Sequence, residues 1–224
     1  MILLKNEIFK LISYIEIDIG SDLSGYTIIS DCFPILKMFP KLNLIVKALN
    51  GITSVNNYLF LCKTKEFLRA IECINEEEIS KRRDFFNKYT KENCDLLSIT
   101  IISIIDKALS EYKAKVCGYI FKEYFYGRID YEKALFCSET ILALSSTYLE
   151  KLPNFVEIID NNITSEFLNA IEAAGIVNSY NESGDDIIDS NSQNNSEKYK
   201  LTDEGSLISD AVKKAGKMIY IWPL

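Results

Sequence analysis

Four short stretches carry the side chains that could do chemistry in this 224-residue chain. Glu76-Glu77-Glu78, and Asp185-Asp186 with Asp189, group carboxylates closely enough to hold a hard cation, which takes oxygen ligands. Cys117-Gly118 offers a thiol, and Lys81-Arg82-Arg83 offers cations for a phosphate. The chemistry open to them is narrow, because the sequence contains no histidine. That removes Ser-His-Asp and Cys-His catalysis, the H-E-x-x-H metalloprotease, phosphotransfer through imidazole, and most catalytic zinc sites. Neither G-x-x-x-x-G-K-[ST] nor G-x-G-x-x-G occurs, and the nine glycines are scattered. Those two phosphate cradles are therefore excluded.

Each stretch also has a plainer structural reading. Asn75 before three glutamates is a helix start, with acids at the positive end of the helix dipole. Asp185, Asp186 and Asp189 lack the D-x-[DN]-x-[DN]-G order of a calcium loop. They fall in a polar stretch, 178–197, that has too little apolar surface to fold by itself. Cys117 recurs on one helical face with Ala114, Phe121 and Tyr124, which points to packing. Lys81-Arg82-Arg83 lies one turn beyond Glu76–Glu78, so ion pairs along an exposed helix account for it. The expectation is a chain without catalytic residues, metal site or cofactor.

The six cysteines, at 32, 62, 73, 94, 117 and 137, form no C-x-x-C pair and match no zinc spacing. They read as reduced, mostly buried thiols of a cytoplasmic protein. The apolar start Ile2-Leu3-Leu4 is interrupted by Lys5 and Glu7, unlike a secretion signal. The longest strongly apolar run, Leu96 to Ile105, is bracketed by Asp95 and Asp106 and is too short to cross a membrane. It reads as a buried central helix, with a buried strand as the alternative its β-branched residues leave open.

The net charge of −7 is unevenly placed. Residues 32–65 carry five lysines and no acid, while residues 153–224 carry twelve acids against five bases. In the basic block Lys37, Lys41 and Lys47 alternate with Phe33, Phe39 and a run of aliphatic residues. Such a segment can lie on an anionic membrane or enter a partner's groove. Its plainer reading is a core segment whose lysines reach outward. In the acidic segment Asp185, Asp186, Asp189 and Glu204 are the candidate contacts for a basic protein partner.

These residues sit on a mostly helical framework. Ile8, Leu11, Ile12 and Ile15 have helical spacing and run into an alternating Ile15–Ile19. Helices are expected over Leu42–Ala48, Ser54–Ile74, Asn75 to about Tyr89 and Cys94–Leu109. A further helix is capped by Ser110 and stopped by Gly127. Asp130 caps the next, which carries Leu135, Leu142 and Leu149 at seven-residue spacing and runs to Pro153. Short connections favour antiparallel neighbours. The expected fold is mainly α: a helical domain over 1–152, with an antiparallel helical bundle at 75–152, and a small α+β module over 153–224.

In that module a helix from Ser165 to Ala174 ends at Gly175 and Ile176-Val177 follows. Tyr199-Lys-Leu-Thr-Asp-Glu-Gly205 then opens a helix to about Ala215, and Met218–Trp222 is a candidate final strand. Over about residues 160–216 this resembles the second half of a winged-helix module, where a helix leads into a two-stranded wing and Thr-x-x-Gly opens the closing helix. The resemblance implies a helix placed to read DNA. The helix in that position has two acids and no base, and the wing would carry Glu182, Asp185, Asp186 and Asp189. Duplex binding rests on cations that neutralise phosphates, so a nucleic acid is not the expected partner and a protein is.

The chain as a whole resembles uncharacterised helical proteins of bacteria and phages that accompany phage–host conflict, and its abundant Ile, Lys and Asn fit an AT-rich genome. The expectation is a cytoplasmic, non-enzymatic interaction or regulatory protein acting in defence, immunity or counter-defence. The alternatives are a peripheral membrane protein acting through 32–65 and a DNA-binding regulator.

Overall fold

A computed structural model describes residues 39–49, 55–72, 76–155, 165–180 and 198–216. The described chain is mainly helical. In order it forms α1 (Pro40–Leu49), α2 (Val55–Ile71), α3 (Glu76–Asn87), α4 (Lys91–Lys107), α5 (Glu111–Phe125), α6 (Tyr131–Ala143) and α7 (Ser146–Lys151). A 3-10 turn (Leu152–Asn154) follows, then α8 (Ser165–Ala173), β1 (Val177–Tyr180), β2 (Lys198–Leu201) and α9 (Asp203–Ala215). The strands pair antiparallel, with Val177 opposite Leu201 and Tyr180 opposite Lys198.

Local sequence explains most helix starts. The side chains of Thr90, Ser110, Asp130, Ser145 and Thr202 each accept a backbone N–H three residues on. Such a cap is typically worth about 1 kcal/mol. Proline begins α1, where its missing N–H matters least. Leu96 to Ile105 is helical, within α4, and Leu97, Ile101, Ile102, Ile104 and Ile105 face the core.

One expected element is broken in two. The helix that heptad spacing carries from Asp130 to Pro153 stops at Ala143. Leu144 is extended (ψ 148°), and Ser145 caps the separate α7. The break is served from a distant helix. The ammonium of Lys113, on α5 and 2% exposed, donates to the carbonyls of Leu142 (2.8 Å) and Leu144 (2.5 Å). Leu149 still reaches the core, although it lies on another helix.

The core is one cluster, from Phe39 and Leu42 on α1 to Ala215 on α9. The boundary expected at 152/153 does not divide it: Leu152, Phe155, Phe167, Ile176 and Ile208 belong to the same cluster as the α5 residues. Ser209 on α9 also donates to the carbonyl of Leu152 (3.3 Å). At the centre lies α5, whose most extensive contacts are with α2, then α9 and α6. α2 and α5 cross where there is no side chain. A Cβ built on Gly118 would lie 2.6 Å from the Phe67 carbonyl oxygen and 2.7 Å from Ala70 Cβ.

Two stability predictions follow from this packing. Gly118→Ala should lower stability by about 1–3 kcal/mol through overpacking, although alanine is the better helix former by about 1 kcal/mol. A rise in the denaturation midpoint would contradict the close α2–α5 crossing. Lys113→Met should destabilise by about 1–3 kcal/mol, because it leaves buried carbonyls unpaired. Equilibrium unfolding in urea would detect this.

Candidate functional site

The C-terminal turn of α5 carries an acid among apolar neighbours. Glu123 follows Ile120 and Phe121 and precedes Tyr124 and Phe125, and it is 8% exposed. Its burial is possible because two cations reach it. Arg128, in the turn after α5, donates from Nη1 to Oε2 at 2.6 Å. Lys214, in the last turn of α9, donates from Nζ to Oε1 at 3.0 Å. The Arg128 backbone N–H bonds the Glu123 carbonyl (3.0 Å), and its guanidinium lies 5.2 Å from the centre of the Tyr126 ring. Between them the turn passes through Gly127 at φ 67°.

Burial alone would push the Glu123 carboxyl up, but the hydrogen bonds and charges of Arg128 and Lys214 outweigh it and hold the pKa below the ordinary value. Arg128 is correspondingly raised, chiefly by its bond to Glu123. The three side chains border a cleft of about 240 Å³. Tyr119 joins Glu123 on the α5 side, and Leu207, Asp210 and Ala211 join Lys214 on the α9 side. Asp210 has its own cation, Lys213, at 3.6 Å.

None of Glu123, Arg128 and Lys214 was singled out by sequence reasoning. The one local signal is a glutamate inside the apolar run around Phe121 and Phe125. Its second cation lies ninety-one residues further along the chain.

The residues that were singled out fare differently. Glu204 lies in the first turn of α9 and accepts from Lys133 Nζ on α6 at 2.8 Å. That bond is the leading cause holding its carboxyl below the ordinary range. Glu204 therefore ties two helices together and is not a free acid awaiting a partner. Phe39 is not a surface residue. It is fully buried, with its ring 5.6 Å from Phe86 and 5.7 Å from Phe125. Lys41 is half-buried on α1. Lys47 belongs to α1, but its side chain is outside the described residues, as are Phe33, Lys37, Asp185, Asp186, Asp189 and the segment Met218–Trp222.

Lys81 bonds Glu77 at 2.6 Å along α3, whereas Glu78 pairs with Lys122 of α5 at 3.3 Å. Cys117 is fully buried, and burial pushes its thiol up to about 12, so it stays protonated and packs. Among the described residues no three cysteines or carboxylates converge as metal ligands, and no helix is long and apolar enough to cross a membrane.

α8 buries Phe167 and Ile171 and turns Glu166, Asn169 and Glu172 outward, all three exposed. It carries no basic residue.

Compared with known proteins, the chain matches no family model, no curated protein and no solved structure.

Glu123 sets the sign of a pH effect. A carboxyl held lower in the folded than in the unfolded state stabilises above its unfolded value, and that contribution is lost as pH falls through the folded value. Unfolding of wild type and Glu123→Gln should therefore differ most at neutral pH, and the gap should close well below pH 4.5. A gap independent of pH would show that the carboxylate charge is not what holds this corner.

Proposed function

We propose that this chain is a non-enzymatic interaction protein that works by binding another protein through its C-terminal part, a winged-helix-like unit turned away from DNA. The observation that carries this reading is the outward face of α8. A helix in the recognition position presents Glu166, Asn169 and Glu172 to solvent and no cation. Phosphate backbones bind through cations, so such a face repels a duplex and complements a basic protein surface. The setting its general likeness suggests is phage–host conflict.

The unit's own construction supports a rigid scaffold for that face. The β1–β2 pair follows α8 and precedes α9 in the chain, an order that supports the comparison with a wing. The junction is tightly specified. The Thr202 N–H bonds the Ile176 carbonyl at 3.0 Å, and its hydroxyl accepts from the Gly205 N–H at 3.0 Å. A Cβ at position 205 would collide with that same Ile176 carbonyl. Thr-x-x-Gly is thus a cap and a close approach in one motif. The membrane alternative loses support, since Phe39, Leu42 and Ile45 of α1 are buried in the core.

The test compares the tagged full chain with a Glu166→Lys/Glu172→Lys double variant in capture from a bacterial host lysate, beside a duplex-DNA shift assay at low salt. The expected result is one stoichiometric protein, recovered at least roughly tenfold less by the variant, with no DNA retardation by the wild type. Equal recovery by the variant would remove α8 as the contact. Retardation of DNA by the wild type would overturn the reading.

A further inference from the structure

The cleft between α5 and α9 has a charge arrangement that its structural role does not use up. Glu123 takes one hydrogen bond from Arg128 and one from Lys214. Both cations keep about half of their side-chain surface in solvent, 54% and 51%, while the carboxylate between them keeps 11%. The acid is therefore a buried anchor, and the cations are its exposed arms. Their remaining N–H groups are open to another acceptor. Asp210 also borders the cleft and pairs with Lys213 at 3.6 Å, so the donors that remain for a guest are the outer N–H groups of Arg128 and Lys214. The α9 side also supplies Leu207 and Ala211, and the α5 side supplies Tyr119.

We infer that this cleft binds a small organic carboxylate, its charged end held by Arg128 and Lys214 and a short apolar part seated on Leu207 and Ala211. A planar guanidinium suits a carboxylate, which it can meet through two parallel N–H bonds. Volume limits the guest. About 240 Å³ lies below the roughly 300–1,000 Å³ of pockets for drug-sized ligands. A short branched acid or a single C-terminal residue of a peptide fits that limit, and both present the same chemistry. The anchoring matters as much as the charge. Arg128 lies against the Tyr126 ring, 5.2 Å from its centre, so less side-chain freedom is lost when a ligand arrives. The site is independent of the acidic α8 face, which lies on another helix.

Glu123 competes with any such ligand for the two cations, and that gives the test its direction. The full chain is titrated with sodium isovalerate and with N-acetylleucine at constant ionic strength, followed by NMR shifts of the Arg128 and Lys214 amides, with inorganic phosphate as comparator. Arg128→Gln and Lys214→Gln should each weaken carboxylate binding about tenfold. Glu123→Gln should tighten it several-fold, because a neutral amide competes less. A purely structural triad would give no such opposition of sign. Tighter binding of N-acetylleucine than isovalerate points to a peptide terminus, and the reverse to a free acid. The inference is overturned if no carboxylate shifts these amides at millimolar concentration. It is also overturned if all variants bind alike, or if phosphate binds more tightly than either carboxylate.

Discussion

Everything in this fold is arranged around the absence of a side chain at Gly118. At that point α2 and α5 approach until the Phe67 backbone and Ala70 Cβ fill the place a Cβ would take. The close crossing lets Phe67 and Phe121 pack at 5.8 Å, and it brings α5 into the middle of the molecule. A helix so placed has neighbours on all sides, and its polar residues must be matched by those neighbours. Gly118 could be read from the sequence only as part of a helix with a weak spot. Its purpose lies in residues some fifty positions earlier.

Lysine is how the structure meets that demand. Helix C-termini leave carbonyls without partners. Three lysines of α5 reach them: Lys113 at the end of α6, Lys115 at the Ala215 carbonyl closing α9 (3.1 Å), and Lys122 at the Glu72 carbonyl closing α2 (2.9 Å). Lys63 of α2 does the same for α4, bonding the Asp106 and Ala108 carbonyls at 3.0 Å each. A cation at the negative end of a helix dipole is favourable. Burial opposes it, which is the larger of the influences on Lys63 and Lys113 and lowers both their pKa values. The long aliphatic stems also pack. The device thus joins helices end to side, while the aromatic cluster of Phe39, Phe85, Phe86, Phe121, Tyr124 and Phe125 joins them side to side.

What was legible in the sequence is what local chemistry decides. Ser110, Asp130 and Thr202 were readable as caps because a cap acts within three residues, and Gly175 was readable as a stop because it adopts φ 71°. The strand pair around Val177 and Leu201 was expected from the resemblance to a two-stranded wing. What was illegible depends on partners far away. No proline or glycine marks the break at Leu144, which is served by Lys113 about thirty residues upstream. The helix expected from Cys94 starts three residues earlier, where Thr90 caps it. Lysines among apolar residues in 32–65 read most plainly as a core segment, and they also fit a membrane surface or a partner's groove. The rings of Phe86 and Phe125 decide it for Phe39.

The same distinction separates the charges that hold the fold from those free to act on something else. Glu204, Glu78, Glu66 and Glu123 are each engaged by a lysine or arginine of another element. Removing one of those acids would first be felt as lost stability, so binding defects there would be ambiguous. Glu166 and Glu172 are exposed on α8, and the described residues give them no cation. Arg128 and Lys214 fall between these classes, bound on their inner side and open on their outer side. Function in a chain without histidine is therefore best sought where charge is left over after the helix ends and buried acids have been matched, at the α8 face and at the mouth of the α5–α9 cleft.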